Sequence, residues 1–156
     1  MSDKTKGVPA GFHTATPYLI IKDAAGAMEF YKKAFDAVEM ERITDDEGKV
    51  RHGEIKIGDS PIMITDESPD FPEWLSPQSR GGTPVHFYLY VEDCDGLFKQ
   101  ALDAGATQLL PMKDQFYGDR SGGVTDPYGH VWYIATRIEN VAEAEIQRRA
   151  SEQAGS

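Results

Sequence analysis

Residues 16–37 read TPYLIIKDAAGAMEFYKKAFDA, and residues 83–106 read TPVHFYLYVEDCDGLFKQALDAGA. A shift of 70 positions lays Tyr18 on Tyr88, Leu19 on Leu89, Asp23 on Asp93 and Gly26 on Gly96. Each stretch passes from a β-rich run through an acidic turn into an amphipathic pattern, and strand-like sequence follows both. A period of this length is too long for a solenoid, so the chain reads as one module duplicated and fused. The seam between the two copies is where a shared site is expected.

In the first copy Asp23 is expected to cap a helix of about 14 residues, with an apolar stripe at Ala27, Met28, Tyr31, Ala34 and Phe35. A strand over Val38–Ile43 and a turn at Asp45–Gly48 follow. A hairpin of Arg51–Ile57 and Pro61–Thr65 then turns on Gly58-Asp59-Ser60. The stretch DESPDFPEWLSPQSRGG (66–82) is rich in Pro, Ser and Gly and reads as a linker, which Trp74 and Leu75 pin to the body or to a second subunit. The second copy repeats the order. It has a strand over Val85–Val91, a helix from Asp95 to Ala104 ended by Gly105, and a strand over Thr107–Met112. A loop over Lys113–Arg120 precedes a last hairpin, which starts at Gly123, turns on DPYG and returns as HVWYIATR. The spacing of Val141, Ala144, Ile146 and Ala150 predicts a terminal helix with its basic residues late, fraying into a polar tail.

The fold class expected is therefore α+β, two paired β-α-β-β-β modules with curled mixed sheets around a cleft. The arm is 1–13, module one 14–66, the linker 67–82, module two 83–137, and the helix and tail 138–156. Alternation in the strand from Val85 sends Phe87, Leu89 and Val91 to one face and His86, Tyr88 and Tyr90 to the other. The first set suits a covering helix. The second carries polar tips on aromatic bodies and suits a cavity holding a small molecule.

Composition narrows the partners. A chain of 156 residues with 40% hydrophobic and 27% charged residues is ordinary for a globular protein. The net charge of −10 argues against a nucleic-acid partner, since no basic stripe exists to meet phosphates. No signal segment or long apolar run is seen, which argues against a membrane. Cys94 is the single cysteine, so no disulfide framework is expected and the location expected is the cytoplasm. Its place at a strand-to-helix turn fits a small packed residue better than a nucleophile. Gly-x-Ser-x-Gly and phosphate-cradling loops are absent, so hydrolase and nucleotide readings have no support.

The module order, the strand openings TPYLIIKD and TPVHFYLYVED, and the segment DQFYGDRSGGVTDPYGHVWYIATR (114–137) together resemble the vicinal oxygen chelate superfamily. That group contains glyoxalase I, bleomycin-resistance proteins, fosfomycin-resistance enzymes and extradiol dioxygenases. The likeness covers about 14–137 and is greatest to the PhnB-like branch, whose members commonly end in DP-aromatic-GH-x-W. The resemblance implies a homodimer and a small organic ligand. It also implies four metal positions on the first and last strands of each module, which fall here on Thr16, Met63, His86 and Tyr133. Only His86 keeps a ligand type, so the first expectation is a cleft without the full metal site and with no cofactor. The alternative is a metal-dependent lyase, isomerase or dioxygenase holding Fe, Mn, Ni or Zn, with His86 joined by Glu54 or His52.

His86 is accordingly the candidate general base or ligand-orienting group, weighed against a packed histidine. Thr16, Met63, Tyr88 and Tyr133 are candidate ligand contacts. Phe116 and Arg120 would close over the pocket, Arg120 clamping a carboxylate or phosphate; the plainer role for Arg120 is an ion pair with Asp119 or Asp126. His52 and Glu54 share one strand face, which invites a metal and is equally explained by a solvated strand. His130 is read as serving the hairpin. Dimer contacts are expected along an exposed edge at the strand from Arg51 and at Phe71–Leu75.

Overall fold

A computed structural model describes residues 4–154, so the first residues of the expected arm (1–3) and the end of the expected tail (155–156) lie outside it. The described chain divides into two compact units with the boundary between Thr83 and Pro84. Within the first unit, β1 (Tyr18–Ile21) leads into α1 (Ala24–Phe35), then β2 (Val38–Thr44), β3 (Val50–Ile57), β4 (Ser60–Asp66) and a short α2 (Pro77–Arg80). The second unit has β5 (His86–Tyr90), α3 (Cys94–Ala104), β6 (Thr107–Asp114), β7 (Asp119–Thr125), β8 (Val131–Arg137) and α4 (Glu143–Ala154).

The strand orders are β1-β4-β3-β2 and β5-β8-β7-β6, so both units carry the same mixed four-stranded sheet. In each, the first strand pairs in parallel with the last, and the other pairings are antiparallel. The duplication extends to register. Tyr18 stands opposite Met63 and Tyr88 opposite Tyr133, a relation that preserves the 70-residue shift in both members.

Helix starts are built the same way twice. The Asp23 and Asp93 carboxylates accept from the amides of Gly26 and Gly96, satisfying a free donor of each first turn. A Cβ on Gly96 would lie 2.4 Å from the Asp93 carboxylate, so glycine there makes room for the cap. Behind each cap stands the last strand. Buried Asp66 accepts from the amides of Asp23, Ala24 and Val50, and at the matching position Thr136 accepts from Cys94 and donates to the Val91 carbonyl. Cys94 is buried at that junction, in line with a packing role.

The expected stripe of α1 covers one sheet face, where Ala27, Met28, Tyr31, Ala34 and Phe35 are buried with Leu19, Ile21, Ile55, Ile62 and Ile64. Burying each large side chain contributes roughly 1.5–3 kcal/mol. In the second unit Phe98 and Ala101 of α3 meet a face holding Val124, Trp132 and Ile134. Asp126 organises the last hairpin there. Its Oδ1 accepts from the Tyr128 and His130 amides and its Oδ2 from the Trp132 indole, so the DPYGHVW segment is one hydrogen-bonded unit. Phe87 stacks on Trp132 at 4.5 Å, and His130 is buried beside Phe87, consistent with serving the hairpin.

Four expectations are corrected. The loop over Lys113–Arg120 shrinks to a turn at 115–118, because β6 runs on to Asp114 and β7 begins at Asp119. Gly118 makes that turn possible: its φ is 102°, and a Cβ there would strike the Glu139 carbonyl at 2.2 Å. The linker contains α2, capped by the Ser76 hydroxyl, and Glu67 accepts from the Ser76 amide. The strand from Arg51 is no edge, since β3 lies between β4 and β2; the edge strands are β1 and β2, and β2 leaves Val38, Met40 and Ile43 exposed. The basic residues of α4 sit in mid-helix, where Arg148 and Arg149 pair with Glu145, and the helix buries no residue.

Candidate functional site

With α3 covering one face of the second sheet, the opposite face is built from alternate residues of β5, β8 and β7. His86, Tyr88 and Tyr90 project there from β5, with Tyr133 beside them from β8. Ring centroids are 5.5 Å apart for His86–Tyr133, 5.8 Å for Tyr88–Tyr133 and 5.1 Å for Tyr88–Tyr90. Gly123 of β7 faces Tyr133 and leaves space for its ring, since a Cβ there would come within 3.0 Å of it. Tyr88 is 40% exposed and Tyr90 59%, high for neighbouring aromatic rings on one sheet face.

The row is held from below by Asp119, which is 1% exposed. Its Oδ2 accepts from the hydroxyls of Tyr88 (2.8 Å) and Tyr90 (2.9 Å), and its Oδ1 from Arg137 Nε at 2.6 Å. Burial would push the Asp119 carboxyl up, but the Arg137 guanidinium and the two phenols outweigh it and hold it below the usual carboxylate range. The Tyr88 phenol is pushed up by burial and by hydrogen bonds with Tyr117 and Asp119, so it stays a neutral donor. An aromatic face with fixed hydroxyls and an exposed imidazole can take an apolar ring and orient its polar groups.

The corresponding face of the first unit carries Tyr18, Met63, His52, Glu54 and Glu41. Tyr18 Oη is 3.2 Å from His52 Nδ1, and His52 Nε2 is 2.9 Å from Glu54 Oε1. Glu41 stands opposite Glu54 across the β2–β3 pairing. One ligand atom from each of Glu41, His52 and Glu54 lies within 4.8 Å of the others. Burial and the nearby Glu54 charge raise the Tyr18 phenol. Trp74 packs against Tyr18 at 6.2 Å and stacks on Phe71 at 4.4 Å, which is how the segment after β4 is held.

Of the residues expected from sequence, His86, Tyr88 and Tyr133 come together on one face. Met63 lies in register with both Tyr18 and Glu54, and half-buried Thr16 precedes β1. Arg120 does not join the tyrosines. It projects to the helix side, where it holds Asp95 of α3 through two bonds of 2.9 Å and Asp114 at 3.0 Å, rather than Asp119 or Asp126. Phe116 packs edge-on against Tyr117 and offers its carbonyl to Arg149. Tyr90, which alternation had placed on this face, was not carried into the site residues, and Asp119, Arg137 and Glu41 were missed. Starting β7 at Asp119 would have placed the carboxylate on the tyrosine face.

Residues 12–134 match the family described as Glyoxalase/Bleomycin resistance protein/Dioxygenase superfamily. The chain belongs to this superfamily. An uncharacterized Mycobacterium tuberculosis protein, Rv0887c, is 42% identical over 140 residues, 88% of this chain and 82% of its own. An Arabidopsis thaliana protein, At5g48480, is 30% identical over 118 residues, 71% of this chain and 70% of its own. The X-ray structure of that gene product superposes with a TM-score of 0.65 at 28% identity, covering 80% of this chain and 98% of the other. A PhnB protein from Bacillus cereus shares the fold at a TM-score of 0.62 and 21% identity, covering 80% of this chain and 99% of its own. The glyoxalase-superfamily likeness brings with it a question of metal. At Thr16, Met63, His86 and Tyr133 the donors are a hydroxyl, a thioether, an imidazole and a phenol, a set that does not fit a hard divalent cation. The only His-carboxylate group of three among the described residues lies elsewhere, at Glu41, His52 and Glu54.

Proposed function

We propose that this protein binds a small organic molecule on the aromatic face of its second module, with His86, Tyr88 and Tyr133 as the contacts and His86 as the group able to accept a proton from the ligand. The observation that carries this reading is the row of exposed rings fixed by a buried carboxylate, an arrangement that contributes little to a core. Thr16 and Met63 hold the matching positions of the first module's face. Arg120 is engaged with Asp95 and Asp114 and is left out of the proposed contacts, while Phe116 packs on Tyr117 at the end of the same row. The uncharged aromatic probe benzamide, titrated in proton–nitrogen correlation spectra, is expected to shift the amides of His86, Tyr88 and Tyr133. His86→Ala should weaken that binding several-fold and cost less than about 1.5 kcal/mol in urea unfolding, because one ordinary hydrogen bond is the most it loses. A variant with unchanged affinity, or one losing about 3 kcal/mol as truncated core rings do, would make His86 scaffold.

A second reading is favoured by one observation. Glu41 and Glu54 face each other across two strands, a like-charge pairing that a cation would relieve, and His52 Nε2 points at the same spot. A divalent ion would be held there by His52, Glu41 and Glu54, with the Tyr18 hydroxyl fixing the imidazole through Nδ1. Calorimetric titration of Mn²⁺ or Zn²⁺ into protein lacking a histidine tag tests it: micromolar binding abolished by His52→Ala supports the reading, and no heat removes it. Cytoplasmic residence and homodimer formation belong to the same proposal. They are supported by the single buried thiol and by the exposed apolar residues of β2. Among the described residues no helix is long and apolar enough to cross a membrane.

A further inference from the structure

Four arginines of this chain each bridge two carboxylates. Arg42 bridges Glu29 and Glu39, Arg120 bridges Asp95 and Asp114, Arg148 bridges Glu145 and Glu152, and Arg149 bridges Glu139 and Glu145. Arg137 differs. Among the described residues it pairs with a single carboxylate, Asp119, and does so through Nε alone. The guanidinium lies 5.9 Å from the Tyr90 ring centroid, and its side chain is 47% exposed. The guanidinium is thus half-exposed and held in place by a buried anion through Nε and by the Tyr90 side chain, which leaves its terminal nitrogens without a carboxylate partner among the described residues.

The guanidinium fork borders a cavity of about 460 Å³ lined by Tyr88, Tyr90, Tyr117, Asp119, Arg137 and Ile146. The volume falls within the roughly 300–1,000 Å³ of small-molecule sites. Three phenol rings and the Ile146 side chain of α4 supply apolar wall, and Arg137 supplies the one cation. Asp119 carries its own negative charge a hydrogen bond away, which disfavours a dianion such as phosphate and favours a singly charged, planar group matched to the fork.

We infer that the cavity bounded by Tyr90, Tyr117, Arg137 and Ile146 binds the carboxylate end of an aromatic or other planar organic acid, with the Arg137 terminal nitrogens as the bidentate clamp. The inference rests on the reading that this face binds a small organic molecule, and it names the class of that molecule.

Benzoate and benzamide are matched probes, being similar in shape and differing in charge. Calorimetric titration of each into wild-type protein, Arg137→Gln and Arg137→Lys separates the possibilities. Wild-type protein should hold benzoate about tenfold or more tighter than benzamide, the difference expected of a charge-assisted bond. Arg137→Gln should erase that preference, bringing benzoate affinity down to that of benzamide. Arg137→Lys, which keeps the charge toward Asp119 and loses the fork, should retain only part of it and carries the test if the Gln variant fails to fold. Equal affinity of wild-type protein for both probes would overturn the carboxylate inference and leave the small-molecule reading standing, as would competition by inorganic phosphate at the same strength. A preference that survives both substitutions would overturn the role of Arg137. Binding of neither probe would overturn both proposals together.

Discussion

At the scale of single residues, Asp119 has the widest reach, since two tyrosines and an arginine take their positions from one carboxylate. Its folded-state acidity is lower in pKa than that of the same group in the unfolded chain. A depressed carboxylate contributes stability in full above the unfolded value and loses it as pH falls through the folded one. Asp119→Asn is therefore expected to lower stability by about 2 kcal/mol at neutral pH, the scale of hydrogen bonds to a charged group. The gap between the two proteins should close below about pH 4 in denaturant titrations. A gap independent of pH would show that Asp119 acts by packing alone. Which side chains share this face was legible where alternation was applied, at His86, Tyr88 and Tyr90, and Tyr133 joined them through the position that the family resemblance implied. Arg120 was misread because the start of β7 was taken as loop. Once strand pairing begins at Asp119, Arg120 must point to the opposite face, where Asp95 of α3 waits.

At the scale of elements, apolar spacing and caps located every long helix and strand, because these signals are local and repeat twice. Asp23 and Asp93 mark helix starts on their own chemistry, and Ala27, Met28, Tyr31, Ala34 and Phe35 mark the buried stripe. The misses have physical reasons too. Helix α2 has only four residues and too few turns to show a period, and its Ser76-Pro77 start was hidden among linker residues. The β6–β7 turn was overestimated because Lys113, Asp114 and Arg120 are polar, yet the ion pair of Arg120 with Asp114 supports a strand pair. The DPYG turn was read as a turn, but not as the holder of Trp132. Asp126→Ala should leave the Tyr128 and His130 amides and the Trp132 indole without that acceptor. The expected cost is about 3 kcal/mol, seen as a lower urea midpoint with unchanged slope. A loss below about 1 kcal/mol would mean that the hairpin closes without its aspartate.

At the scale of the whole molecule, the duplication was fully visible, and the matched registers Tyr18–Met63 and Tyr88–Tyr133 are its structural form. The position of β3 was not visible, because sequence order does not tell which strand ends a sheet. Homodimer formation is checked by sedimentation velocity at micromolar concentration, where a species of twice the 17.3 kDa chain mass is expected. A single 17.3 kDa boundary would remove the dimer. Substituting Met40 by Lys on the exposed edge strand should shift a dimer toward monomer. The parallel closure of each sheet, first strand against last, has a consequence for synthesis. On the ribosome, β5 leaves the exit tunnel with no mate, because its only neighbour, β8, has yet to be translated. Translation supplies roughly 5–20 residues per second, so the tyrosine-bearing strand waits seconds, bare, for a partner some forty residues downstream. The face that a ligand would meet is thus among the last surfaces of the chain to acquire its shape, and a ribosome stalled before Val131 would display it without support.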